Sequence, residues 1–376
     1  MVVILTRRDF LRSLGAVSLA SLWPFAGRGQ ELPTLKLSLP PMIESFPIAF
    51  AQDQGIFEAH GLTVELFGIA NRRDRNLALF TGSVDGALTD ITSVLQLLSA
   101  EAKLKITSTA YEMIPPQPPE GNGEEGEGGE GGEGEEPAPG PHRYTLLTHH
   151  FSGIRDLDTL LQRLDGSRSR RIGLLRETDI EYQTDLLLES RGLAVDGDTH
   201  YTDFEDLVLL ATLLGQGSIL AAVLPEPIGS YLEYITEAEG TPVVPLSNFE
   251  DQPLVPSIWA FQEALIEGNP ELLENFYAGV HEVLEQLQNT PREEVIEVGL
   301  DAALAFFFPG LSREDLPPGA EEFLQEYLIP DFPLPRGLAP AEYQGVADWA
   351  VKKGYISEGI PFERAYSSRY YEPPKA

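Results

Sequence analysis

Cysteine is missing from all 376 residues. That absence excludes disulfides, zinc–thiolate sites, iron–sulfur clusters, a cysteine nucleophile and a lipidated N-terminal cysteine. Histidine is scarce, at six residues, so a His-rich metal site has little to draw on and no metal ligands are expected. Positive charge is short as well. Lys and Arg number 26 against 59 Asp and Glu, a formal net charge of −33. This balance speaks against nucleic acid as a partner, because such binding needs positive potential to release counterions. It speaks equally against charge-driven docking on anionic lipid. What is present is core material: 42% of residues are hydrophobic and 9% aromatic. The length accommodates two lobes, since domains usually run about 100–200 residues.

The first thirty residues differ from the rest. Thr6-Arg7-Arg8-Asp9-Phe10-Leu11-Arg12 is a basic start, and Ser13 to Trp23 is a short, mildly apolar run. It falls below the roughly 20 apolar residues of a stable membrane span and has the layout of an export signal. Arg7 and Arg8, followed by Phe10 and Leu11, resemble the twin-arginine signal. No A-x-A cleavage pattern stands near Phe25-Ala26-Gly27. Residues 1–30 are expected to send the chain to the periplasm or another extracytoplasmic space, and not as a lipoprotein.

Past residue 30 the hydrophobic period alternates between 2 and 3.6. Leu35–Leu39 reads as a strand, Ile48–Phe57 as a helix, Leu62–Phe67 as a strand and Asn76–Phe80 as a helix. Gly86–Thr89 reads as a buried strand entering a helix capped by Asp90 or Thr92, and Lys103–Thr109 as a further strand. Alternation of this kind predicts mostly parallel sheets wrapped by helices. It stops at Pro115. Residues 113–141 are expected to form a solvated loop insertion: Glu120–Glu136 is almost wholly Gly and Glu, with nothing apolar to bury, and prolines flank it on both sides. A calcium loop would need ordered ligand spacing, which this run lacks.

The alternation resumes at Tyr144. Helices are expected over Ile154–Leu164, Ile180–Arg191 and Leu207–Leu214, with strands at Arg171–Leu175, Ser218–Leu224, Val243–Leu246 and Ser257–Phe261. Helices then follow over Glu271–Gln288, Arg292–Ala305, Ala320–Leu328 and Ala341–Lys353. Trp259, a large aromatic on a strand, is expected in a core. The division is therefore 31–112 for the first part of lobe 1 and 142–246 for lobe 2. Residues 247–376 return to lobe 1 and add C-terminal helices.

Two blocks carry a resemblance. Phe46 to Glu65 has the form apolar-A-x-x-x-G-x-F-x-x-x-G-L-x-V-E, and Gly82 to Asp90 the form G-x-V-D-x-A-x-x-D. In lobe 2, Gly217 to Pro227 adds a glycine, Ala221-Ala222 and Glu226-Pro227. The chain resembles the substrate-binding proteins of ABC importers, in the family for nitrate, sulfonate, taurine and thiamine-pyrimidine precursors. That resemblance covers about residues 35–354. It implies an α/β, two-lobe periplasmic-binding-protein type II fold with a ligand cleft between lobes. It also implies a monomer that hands a small molecule to a membrane permease and ATPase, with no cofactor and no catalysis of its own.

Ligands of open α/β sheets bind beyond the carboxyl ends of strands, where helix N-termini offer free N–H groups. Four junctions qualify here. They nominate Ser45 and Phe46 after the first strand, Asp90 and Thr92 after the third, Glu177, Thr178 and Glu181 in lobe 2, and Glu226 between two prolines. Each has a plainer role open to it: Asp90 and Thr178 as helix caps, Phe46 as a hydrophobic staple, Glu181 as a charge favouring a helix dipole. In sequence the junction carboxylates Asp90, Glu177, Asp179, Glu181 and Glu226 face only Arg176. This favours a neutral or cationic solute bearing N–H donors, such as an aminopyrimidine-like heterocycle, over sulfonate or nitrate.

Two other function classes compete. Pyrimidine-precursor synthases resemble the same family but carry a cysteine-rich motif, a cofactor lysine and a sacrificial histidine. This chain has no cysteine. A sensory protein could use the same lobes without transport, and an adjacent permease and ATPase gene pair separates that case. No Ser-His-Asp order, P-loop or metal-ligand spacing emerges.

Overall fold

The computed structural model describes residues 32–69, 71–110, 143–164, 171–249, 252, 255–307, 312–316, 319–320, 322–323, 327 and 332–374. The twin-arginine segment, the whole Pro/Gly/Glu insertion and most of the expected helix Ala320–Leu328 lie outside them. Lobe 1 opens with β1 (Thr34–Leu39), α1 (Phe46–Asp53), α2 (Ile56–Ala59), β2 (Thr63–Gly68), α3 (Arg72–Phe80), β3 (Gly86–Thr89), α4 (Ile91–Ser99) and β4 (Leu104–Thr109). Lobe 2 holds β5 (Tyr144–His149), α5 (Leu157–Arg163), β6 (Ile172–Leu174), α6 (Asp179–Ser190), α7 (Gly197–His200), β7 (Tyr201–Asp203), α8 (Leu207–Gly215), β8 (Ala221–Pro225), α9 (Ile228–Ala238) and β9 (Val243–Ser247). The chain then returns through β10 (Ile258–Gln262), α10 (Glu263–Gly268), α11 (Pro270–Asn289), α12 (Arg292–Phe307), α13 (Pro340–Lys353) and α14 (Phe362–Ala365).

The two sheets share one plan. Their strand orders are β2-β1-β3-β10-β4 and β7-β6-β8-β5-β9. In each, four strands run one way and the fourth in the order runs against them: β10 between β3 and β4, β5 between β8 and β9. That opposed strand is the one arriving from the other lobe. Each sheet is therefore completed by a strand the other lobe delivers, and the chain crosses twice.

Period-2 burial explains how each sheet carries two cores. On β10, Trp259 and Phe261 join Leu35, Leu37 and Leu39 of β1 against Phe57 and Phe276. Ile258 and Ala260 face the other way, with Ile91 and Leu95 of α4 and Val346 and Ala350 of α13. Trp259 is fully buried. Gly86 is needed where β3 passes β10, because a Cβ there would run into the Phe261 ring. In lobe 2, Leu146 of β5 packs with Leu157, Ile180 and Leu187, while Leu147 packs with Leu210, Leu214 and Leu232. Each such leucine contributes about 1.5–3 kcal/mol on burial.

Some element boundaries differ from the sequence expectation. Ile48–Phe57 is not one helix: Gly55 at φ +67° divides α1 from α2. α3 starts at Arg72 rather than Asn76, because Asn71 caps it by accepting from the Asp74 N–H. β7 has no counterpart in the expected pattern.

α13 adds a third link between lobes. One side packs on α4 in the lobe 1 core, and the other meets α6 of lobe 2. Trp349 donates to Asp185 at 2.7 Å, and Lys353 lies 2.8 Å from Asp185 and 3.2 Å from Glu181. Among the described residues no helix is long and apolar enough to cross a membrane.

Candidate ligand-binding cleft

The strand ends of the two lobes meet. Ile43, just past β1, donates its N–H to the Glu226 carbonyl just past β8, at 3.2 Å. Asn71 and Arg73 at the start of α3 reach Glu205 of lobe 2 at 2.8 and 2.6 Å. Gln96 of α4 donates to Glu177 at 2.9 Å. The junctions that sequence nominated on opposite lobes thus line one interface.

Arg143 is the central charge of this interface. It stands where the first crossing enters β5. Nε lies 2.8 Å from Glu44 of lobe 1, and Nη2 lies 2.7 Å from Asp179 at the start of α6. The guanidinium also donates to the Val255 carbonyl and to Ser257 Oγ on the second crossing. Burial opposes its charge, but Asp179, Tyr144 and Glu44 hold it above the ordinary arginine range. Tyr144 donates its hydroxyl to Asp179 at 2.5 Å.

Asp90 caps α4. Its carboxylate accepts from the Ser93 N–H and hydroxyl, both at 2.8 Å. Burial pushes its pKa up, and the charge of Asp179 across the cleft pushes the same way; Ser93 and Arg72 pull back. Arg75, buried in α3, is lowered to about 10 by burial, against the favourable charge of Asp90. Glu226, nearly fully buried, is raised to about 7 by burial. Bonds from Ser230, Tyr327 and Thr145 limit that shift.

The nominated residues divide by what their polar groups touch. Asp90, Glu177 and Glu226 stand at the lobe boundary. Thr92 follows Asp90, and its buried Oγ1 has no hydrogen-bond partner among the described residues. Thr178 caps α6 by accepting from Ile180 N–H, and its hydroxyl donates to the Leu175 carbonyl. Ser45 donates to the Pro40 carbonyl at 2.6 Å. Phe46 is core, its ring packed where α12 presents Gly299. Glu181 is fully buried and occupied by the Tyr355 hydroxyl, Lys353, Arg176 and the Glu177 N–H.

The charge expectation needs correction. The junction carboxylates do not face Arg176 alone: Arg72, Arg75, Arg143 and Lys353 stand among them. The reason is topological. The junction after β2 carries no apolar run to nominate it, and Arg72 and Arg75 follow it on α3. Arg143 closes the Pro/Gly/Glu insertion, and Lys353 comes from the C-terminal helix. The Asn71-Arg72-Arg73-Asp74 run, a cap residue followed three later by an acid, could have revealed α3.

Two five-stranded α/β sheets, two crossings and a polar interface at facing strand ends define the two-lobe periplasmic-binding-protein fold. No protein-family model matches the chain, and no curated protein sequence does. Solved structures match along most of its length. The alkanesulfonate-binding protein SsuA from Xanthomonas axonopodis pv. citri, bound to MOPS, is 14% identical with a TM-score of 0.63, covering 92% of this chain and 100% of that one. The ligand-binding component of an ABC-type import system from Staphylococcus aureus, with zinc bound, is 12% identical with a TM-score of 0.64, covering 90% and 98%. The nitrate-binding protein NrtA from Synechocystis PCC 6803 is 13% identical with a TM-score of 0.51, covering 76% and 67%. Likeness at these identities establishes the fold.

Proposed function

We propose that this chain is the extracytoplasmic solute-binding component of an ABC-type importer. It works as a monomer that takes a small molecule between its lobes and presents it to a membrane permease. The carrying observation is the set of buried polar groups from both lobes at facing strand ends, with Asp90 and Thr92 on one side and Glu226 on the other. A solute touching both sides would be bound best when the lobes are together, which is how a two-state binder couples binding to shape. The neighbours of the same fold that bind sulfonate or nitrate, or belong to import systems, support this role.

The charges of the cleft narrow the solute class. Arg143 is spent on Glu44 and Asp179, and Arg72 on Glu177 and Gln96. Each Asp90 carboxylate oxygen accepts one bond from Ser93, and a carboxylate oxygen has a further lone pair for an N–H donor on a solute. These features favour a polar solute that is neutral overall and bears N–H donors, such as an aminopyrimidine-like heterocycle. A thermal-shift screen across aminopyrimidines, amino acids, sulfonates and nitrate tests the reading. A solute at 100 times its Kd stabilises by about 2.7 kcal/mol. Stabilisation by an aminopyrimidine supports the class. Stabilisation by nitrate or simple sulfonates alone keeps the role and overturns the class, and no shift across a broad solute set counts against the role.

A further inference from the structure

We propose that Glu177 is a latch between the lobes, built from the chain's own groups and needing no solute to form. Glu177 lies in lobe 2 between β6 and α6, at φ +60°. Residues other than glycine, asparagine and aspartate seldom take that left-handed backbone. Its N–H donates to Glu181 Oε2 at 2.7 Å. Glu181 is fixed in turn by Lys353, the last residue of α13, at 3.2 Å and by the hydroxyl of Tyr355, two residues further on, at 2.7 Å. The strained turn is therefore held from behind by a helix that belongs to the lobe 1 core.

Ahead of the turn, the Glu177 carboxylate crosses to lobe 1. Oε2 accepts from Gln96 Nε2 at 2.9 Å and stands 3.4 Å from Arg72 Nη2. Arg72 Nη1 donates to Gln96 Oε1 at 3.1 Å, so the three side chains close a ring across the boundary. The Arg72 side chain is only 6% exposed. A charge-assisted ring on a mostly buried cation is stronger than an exposed surface pair. Glu177 thus biases the lobes towards contact, the arrangement in which one solute touches both, and the ring must open transiently for a solute to enter.

The absence of native cysteine makes the test direct. Leu77→Cys on α3 and Val208→Cys on α8 place one spin label on each lobe, at residues 58% and 61% exposed. Pulsed electron–electron resonance then reads the distance between labels with no solute added. The labelled parent should give one dominant short distance. Glu177→Ala should enlarge a longer-distance population several-fold, Arg72→Ala should do the same, and the double variant should go no further than the larger single effect. Urea denaturation checks that each variant is folded; Gln96→Ala replaces Arg72→Ala if the latter does not fold. A folded Glu177→Ala protein with the parent's distances overturns the latch, as does a parent already dominated by the longer distance. Because no solute is used, this result stands apart from the solute screen.

Discussion

Arg143 and Glu44 meet across the lobe boundary, Nε to Oε1 2.8 Å, with side chains only 9% and 4% exposed. The same guanidinium holds Asp179 of lobe 2 at 2.7 Å and reaches both chain crossings. One cation thus neutralises a buried carboxylate from each lobe at the pivot. Arg143→Met removes the charge but keeps much of the volume. It should cost about 3–5 kcal/mol, because two buried carboxylates lose their partner. Arg143→Lys should recover part of that, since a point charge cannot fork to all the acceptors. Urea denaturation measures both, and a loss below about 1 kcal/mol for Met would remove Arg143 from this role.

Glu226 predicts a pH dependence. Burial raises it from 4.5 to about 7, among Thr145, Ser230 and Tyr327, with Glu233 also raised to about 7 nearby. A carboxyl whose folded pKa exceeds its unfolded one binds more protons when folded, so its contribution to stability falls as pH rises. The fall begins near pH 4.5 and is complete above pH 7, and amounts to about 3 kcal/mol. Glu226→Gln keeps an acceptor and cannot titrate. The difference in stability between parent and Glu226→Gln should therefore move by that amount across the window, against the parent at high pH. A flat difference between pH 4.5 and 7.5 would show that Glu226 is ionised in the fold at no cost.

The proposed export is expected to depend on Arg7 and Arg8. If they form a twin-arginine signal, replacing both with Lys should leave the precursor in the cytoplasm. Fractionation of cells expressing each form checks this. Normal export of the Lys pair would assign the segment to a different route.

The sheets were legible in sequence because their strands are short apolar runs between turn residues. Leu35–Leu39, Gly86–Thr89 and Tyr144–Thr148 alternate or bury as the period requires. The start of α3 was not legible in the hydrophobic period, because Arg72-Arg73-Asp74-Arg75 has none; only the Asn71 cap, with Asp74 three residues on, marks it. Gly55 broke an expected helix through a positive φ that hydrophobic spacing does not record. Glu181 shows the limit most clearly. Its position at a helix start suggests a ligand contact, while Tyr355 and Lys353, some 170 residues away, occupy it. Partners so distant in sequence come together only through the double crossing and the return of α13.

The central claim is that one solute is held by both lobes, and isothermal titration tests it most directly. The solute that gives the largest thermal shift is titrated into the parent, Asp90→Asn, Glu226→Gln and the double variant. Each single change should weaken binding by about 1.5–3 kcal/mol if the carboxyl accepts a charge-assisted bond from the solute. The two should also be non-additive, because only lobes brought together let one molecule touch both. Affinity unchanged in both single variants would contradict the account, and a loss confined to one lobe would show that the solute is held without the other.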